Sequence, residues 1–198
     1  TTVIVLEGWD AAGKGGAIRR LARAVPLRNI AIVPISAPSE LERAHHYLWR
    51  FWRKLPRDGR MVVFDRSWYG RLLVERVEGF ATEAEWRRAY DEINDFEQQL
   101  VDHGTVVGKF FLHIDREEQM RRFKARARTP YKKYKLSNED YRNRDKWDQY
   151  VEAIEEMLAR TDTAACPWHV VPANDKPFAR VRVLRAIARA MHEGLKQD

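Results

Sequence analysis

One short segment limits the fold more than any other. Gly8-Trp9-Asp10-Ala11-Ala12-Gly13-Lys14-Gly15-Gly16 follows the apolar run Thr2-Val3-Ile4-Val5-Leu6 and leads into Ala17-Ile18-Arg19-Arg20, so a glycine-rich turn joins a buried strand to a helix. The spacing is G-x-x-x-x-G-K, that of a Walker A loop. Glycines there let successive backbone N–H groups curl around a phosphate at a helix N-terminus, whose dipole favours anions, and Lys14 adds a point charge at the outer phosphates. Gly8, Ala11, Ala12, Gly13, Lys14, Gly15 and Gly16 are therefore the candidate phosphate contacts. Glycine-rich turns also join strands to helices for steric reasons alone; the strand before, the helix after and the lysine in register favour phosphate.

Two residues in the loop depart from the usual pattern. Gly15 stands where a standard loop has the Ser or Thr whose hydroxyl reaches magnesium, so a metal has to be held by other groups. Asp10 lies inside the loop, where a carboxylate repels phosphate unless something compensates it. An aspartate here either forms a local turn or serves a metal or a nucleophilic phosphate; the charge argument favours the second role.

Short apolar runs alternate with helical periodicity along the rest of the chain, the pattern of strands joined by crossover helices. Strands are expected at about 2–6, 30–35, 61–65, 105–113 and 167–173, and helices at about 14–24, 39–53, 83–101, 115–127, 140–160 and 177–195. Ser39 with Glu42 and Thr82 with Glu85 are capping boxes, and Pro177 suits a first helical turn. No Gly/Ser-rich linker divides the 198 residues, so one α/β domain over 1–198 is expected, with a mostly parallel, doubly wound, five-stranded sheet and helices on both faces.

Met61-Val62-Val63-Phe64-Asp65 is an apolar run ending in an acid, a Walker B pattern. Carboxyl ends of neighbouring parallel strands form the ligand crevice, which puts Asp65 across from Lys14 as a candidate magnesium ligand beside Asp10. Arg66 and Arg71 follow, and a planar guanidinium suits phosphate oxygens and transferring charge. Arg71 paired to Glu75 and Glu78 is the simpler reading of that residue, and Glu75 either bridges to Arg71 or Arg76 or reaches a nucleotide. Trp68 and Tyr69 either line a base pocket or pack the turn. His45 and His46 read as packing or surface groups.

The formal charge is +7, and residues 116–146 hold 12 Lys or Arg against five acids. That window carries the whole excess and contains a helix, a Thr129-Pro130 break and the loop Tyr131-Lys132-Lys133-Tyr134-Lys135, the make-up of a basic lid. Arg122 and Arg126 are four apart, on one helix face, and are expected to point together at the transferring group. Lys124, Lys132, Lys133 and Lys135 join them as candidate phosphate contacts. A local basic track implies a phosphate-rich partner. Single-stranded nucleic acid, stacked on the interleaved tyrosines, is a weaker alternative. No apolar run is long enough to span a membrane, the first residues do not show the charged, apolar and small-residue order of a signal peptide, and the lone Cys166 excludes an internal disulfide. A cytoplasmic protein is expected. The abrupt start on a strand suggests that a native N-terminal segment is missing.

GWDAAGKGG (8–16) and FDRSWYGR (64–71) closely resemble the polyphosphate kinase 2 family, and LLVERVEGF (72–80) and HYLWRFW (46–52) are most similar to its polyphosphate:AMP phosphotransferase branch. The likeness continues through EEQMRRFKAR (117–126), RNRDKWDQY (142–150) and TDTAACPWHVVPANDK (161–176). It implies a P-loop kinase fold and transfer of a terminal phosphoryl group between inorganic polyphosphate and an adenine, or guanine, nucleotide, with Mg2+ or Mn2+. Asp10 and Asp65 fall on the family's paired aspartates, Lys14 on the Walker lysine, Arg66 on the arginine beside the second acid, and Arg122 and Arg126 in the lid. It also implies a homo-oligomer, dimer or tetramer. The rivals are an ATP-dependent nucleoside monophosphate kinase and a nucleic-acid-binding P-loop module.

Overall fold

The structure, a computed structural model, describes residues 1–131 and 138–195. Five strands, β1 (Thr2–Gly8), β2 (Ile30–Pro34), β3 (Met61–Asp65), β4 (Val106–His113) and β5 (Trp168–Pro172), form one sheet in the order β2-β3-β1-β4-β5, with every pair parallel. All five lie within two residues of the expected bounds. β1 and β3 sit inside the sheet, and Val3, Ile4, Val5, Val62, Val63 and Phe64 are fully buried, which explains runs of unbroken hydrophobicity rather than alternation.

The main helices are α1 (Lys14–Ala24), α5 (Glu83–Asp102), α6 (Arg116–Arg128), α8 (Trp147–Thr161) and α9 (Lys176–Gly194). α1 packs with α9, and α5 packs with α8. Side-chain alternation on β4 shows that these pairs cover opposite faces. Lys109 reaches Glu97 of α5 and Thr161 of α8, whereas Val106, three residues away and of opposite parity, meets Gly194 of α9. Both capping boxes form, at Ser39 with Glu42 and at Thr82 with Glu85.

Two long helices expected from sequence are interrupted. The segment 39–53 forms only α2 (Glu40–Arg43) and α3 (Trp49–Trp52). Between them the His45 ring bonds the Leu41 carbonyl at 2.9 Å and His46 Nδ1 accepts from the Leu48 amide at 3.4 Å, so imidazoles take over backbone groups that a continuous helix would pair internally. The segment 140–160 divides into α7 (Asn138–Asp145) and α8 at Lys146, whose φ of −97° and ψ of 25° leave helical geometry. That turn lays the Trp147 ring on Trp9 of the glycine-rich loop, 3.7 Å between centroids and 5° from parallel. A short α4 (Val74–Val77), not foreseen, follows the turn after β3.

Candidate active site

The register of three strands assembles the site. Leu6 of β1 lies beside Asp65 of β3, and Gly8 beside Leu112 of β4, so loop and acid leave the sheet side by side at its carboxyl edge. Gly8 has to be glycine: its φ is 135°, and a Cβ would stand 2.4 Å from the Leu112 carbonyl oxygen. Gly13 caps α1 at φ 119°. Gly16 lies under Arg180, where a Cβ would approach Nε to 3.1 Å. Among the described residues, the Gly13, Lys14 and Gly15 amides make no backbone hydrogen bond, which leaves three donors at the start of α1 for an anion.

Lys14 donates to the Gly8 carbonyl at 2.6 Å, folding its ammonium back over the loop. Burial first, then Arg66, push its pKa below the ordinary lysine value, while Asp10, Asp65 and Glu7 pull the other way. Asp10 is held at both oxygens: Oδ1 accepts from Arg66 at 2.9 Å and Oδ2 from Asn143 of α7 at 3.0 Å. Arg66 adopts a left-handed backbone at φ 65° that aims its guanidinium at this carboxylate, and its second arm lies 4.0 Å from Glu139 of α7. Burial disfavours the charge on Arg66, but Asp10, Glu7, Glu139 and Asp65 together outweigh it and raise its pKa. Asp65 is half-buried, and among the described residues no hydrogen bond or ion pair engages its carboxylate. It is the acid at this edge most open to a ligand.

Arg122 is placed differently from expectation. It is 3% exposed and points at the back of the loop, not at the space in front of it. Its two terminal nitrogens donate to the carbonyls of Ala11 and Ala12 at 2.8 and 2.7 Å and of Ala173 and Asn174 at 2.6 and 2.9 Å, and its Nε donates to Glu118. Arg126 is half-buried, and the charges of both arginines bear on Lys176, that of Arg122 more strongly. Lys124 is exposed on α6, and Lys132, Lys133 and Lys135 lie outside the described residues. Arg71 pairs with Glu75 at 3.1 Å and stacks on Tyr47, and neither residue lines the cavity beside the loop. Trp68 and Tyr69 are buried packing groups, 1% and 0% exposed.

Two recesses share the loop. The larger touches its first half and is lined by Glu7, Gly8, Asp10, Arg66, Gln119 and Asn143 on the polar side and by Leu73, Val74, Phe111, Tyr150 and Ile154 on the apolar side. The smaller is a narrow cleft with no room for a water molecule; it touches Ala12, Gly13 and Ala17 and is walled by Lys176 and Arg180 of α9. Burial lowers the pKa of both cations; for Arg180 the charges that add to this are Arg20, Arg19 and Arg122, with no acid among them. Arg180 Nε is buried without a hydrogen-bond partner among the described residues.

Sequence reasoning missed several of these residues. Glu7 is buried, accepts from Ser67 Oγ at 2.7 Å and has its pKa raised by burial and by Asp65, against Lys14, Ser67 and Arg66. Its signal was an acid inside an apolar strand, one residue before the loop. Lys109 is 0% exposed and bonds Glu97, Tyr69 and the Thr161 carbonyl, anchoring the turn after β3 from below. Asn143, Gln119 and Arg180 had no motif to mark them.

A family model described as polyphosphate kinase 2 matches residues 1–198. The chain belongs to the polyphosphate kinase 2 family. The chain is 60% identical over 196 residues to a polyphosphate:AMP phosphotransferase of Pseudomonas aeruginosa, covering 99% of this chain and 40% of that protein. It is 44% identical over 182 residues to ADP-polyphosphate phosphotransferase 2 of Rhizobium meliloti, covering 92% and 60%. A crystal structure of polyphosphate kinase 2 from Pseudomonas aeruginosa superposes with a TM-score of 0.97 at 59% identity, over 100% of this chain and 43% of that one. The chain therefore spans about 40% of the length of the first curated relatives it matches. Thymidylate kinase from Candida albicans, at 12% identity and a TM-score of 0.52 over 97% of this chain and 92% of that one, shares the P-loop kinase fold alone.

Proposed function

We propose that this chain is a single catalytic domain that moves the terminal phosphoryl group between inorganic polyphosphate and an adenine nucleotide, with AMP the preferred acceptor. The observation that carries this reading is a phosphate loop with a cavity on one side and the cations Lys176 and Arg180 on the other. The cavity flanked by Asp10, Arg66 and an apolar wall suits a nucleotide, and the cationic side chains of Lys176 and Arg180 suit a bare phosphate chain. AMP is favoured over ADP because the relatives named for AMP are 55–60% identical and the ADP-, NDP- and GDP-named ones 41–44%.

In the forward direction an oxygen of the AMP phosphate attacks the terminal phosphorus of polyphosphate. A new P–O bond gives ADP, the bridging P–O bond breaks, and a chain shorter by one unit leaves. The attacking phosphate is already an anion near neutral pH, so no base has to remove a proton. The protein's task is positioning and charge compensation. The Gly13–Gly15 amides and Lys14 hold donor phosphates, Arg66 steadies the transferring group, and Arg126 adds a cation from α6. Arg122 leaves that set for the back of the loop.

A divalent cation fits a limited donor set. Among the described residues no three His, Cys, Asp or Glu side chains converge to hold a metal. One or two carboxylates completed by substrate oxygens are how Mg2+, or Mn2+, is ordinarily held. Asp65 would bind it, joined by Asp10 if Arg66 and Asn143 yield an oxygen. When bound, the ion neutralises charge on the phosphates. A homo-oligomer in the cytoplasm, where nucleotide acceptors are found, completes the reading; no described helix is long and apolar enough to cross a membrane.

The deciding experiment incubates the purified chain with AMP or ADP and either long-chain polyphosphate or ATP. Formation of ADP from AMP at the expense of polyphosphate is expected. Consumption of ATP alone would make it a nucleoside monophosphate kinase, and tight, salt-sensitive oligonucleotide binding with no transfer would make it a nucleic-acid module.

A further inference from the structure

We infer that Arg122, with Gln119, is a positioning residue that sets the peptide planes of the phosphate loop and touches no phosphate itself. The inference deepens the reading above, since it concerns how the same loop is made ready for its ligand. Three consecutive loop carbonyls are held from behind by one face of α6. Gln119 Nε2 donates to the Asp10 carbonyl at 3.3 Å, and Arg122 donates to those of Ala11 and Ala12. The two residues are three apart, hence neighbours on the helix, and both are buried.

A guanidinium has five N–H donors. Arg122 has five acceptors: the carbonyls of Ala11, Ala12, Ala173 and Asn174, and the Glu118 carboxylate. None is left for a ligand. Of the peptide units so pinned, Ala11–Ala12 turns its amide onto the Trp9 carbonyl at 3.0 Å and closes the turn, while Ala12–Gly13 leaves the Gly13 amide free for an anion, and a cation behind the carbonyls favours that orientation. Ala11 needs such support, because it holds a left-handed φ of 63° that a non-glycine residue adopts at a cost. The same guanidinium ties the loop to the β5–α9 connection, whose Asn174 in turn accepts from the Asp115 amide that starts α6. Loop, helix and connection thus close into one ring.

The test compares wild type with Arg122→Met and Gln119→Ala by hydrogen–deuterium exchange over residues 8–16 without ligand, and by inorganic tripolyphosphate binding at several salt concentrations. Positioning predicts amide exchange in 8–16 faster by about tenfold or more, with β3 unchanged. It also predicts weaker binding at every salt with an unaltered slope of log K against log salt, because no phosphate contact is lost. A direct phosphate contact predicts the reverse: exchange unchanged and a slope smaller by about one. That outcome would overturn the inference. If Arg122→Met fails to fold, Gln119→Ala decides, since it frees one carbonyl and should show the exchange signature in smaller measure. The exchange arm needs no substrate, so it stands even if the polyphosphate reading fails.

Discussion

Arg66 donates to Asp10 across the mouth of the phosphate loop at 2.9 Å, joining the turn after β3 to the turn after β1. The partners are 56 residues apart in sequence. The left-handed backbone of Arg66 makes the contact, so the pair records the meeting of two strand ends and not a local accident.

Asp65 sits one residue before that arginine with a carboxylate that no described residue engages. Asp65→Asn should lower kcat by about a hundredfold or more while changing stability by less than about 0.5 kcal/mol. Steady-state rates and a urea titration check both halves. Asn143→Ala removes one of the two donors to Asp10 and should cost about tenfold or less in kcat, with polyphosphate KM unchanged.

Lys14 gives the pH profile its alkaline limb. Its folded pKa is lowered, chiefly by burial. The charged form grips phosphate below that pKa and is lost above it, so kcat/KM should begin to fall at a pH below the 10.5 of an ordinary lysine. Lys14→Arg, weaker overall because its fork fits the loop poorly, should lack that limb, because arginine stays charged. A limb in the same place in both enzymes would remove Lys14 as its cause.

Lys176 and Arg180 flank the narrow cleft beside the loop. Lys176→Ala with Arg180→Ala should raise KM for polyphosphate and flatten its dependence on log salt by about one per lost contact, leaving KM for AMP in place. Equal effects on both substrates would contradict separate sites.

The Lys109–Glu97 pair, 2.7 Å apart and 0% and 1% exposed, carries stability. Lys109→Met strands a buried carboxylate and should destabilise by about 3–5 kcal/mol, and adding Glu97→Leu should recover much of the loss. Urea midpoints measure both.

Cys166 is buried and its thiol is pushed up to about 12 from 9.0, by burial and then by Glu97. The native protein should react with iodoacetamide at pH 8 about a thousandfold more slowly than the urea-unfolded chain.

How much of this was legible depends on distance along the chain. Strands, caps and the loop's own glycines are local, and β1 to β5, Ser39, Thr82 and Gly13 stand where pattern and turn chemistry put them. Arg122 was read as a lid arginine because spacing reports which helix face a residue occupies, not what that face meets. Its loop partners lie 110 and 111 residues away. Glu97 and Lys109 look like ordinary surface charges until the sheet folds over them. The interruptions of the helices at 39–53 and 140–160 escaped because side chains, His45, His46 and Trp147, redirect backbone that periodicity alone would have continued.

The face-to-face contact of Trp9 with Trp147 gives the molecule a built-in optical gauge. One indole rides on the anion-binding turn and the other on the first residue of α8, so a shift of that turn against α8 changes the overlap of the two rings. Emission from this couple, isolated by difference against Trp147→Phe, would report the seating of an anion on the loop in real time without a dye.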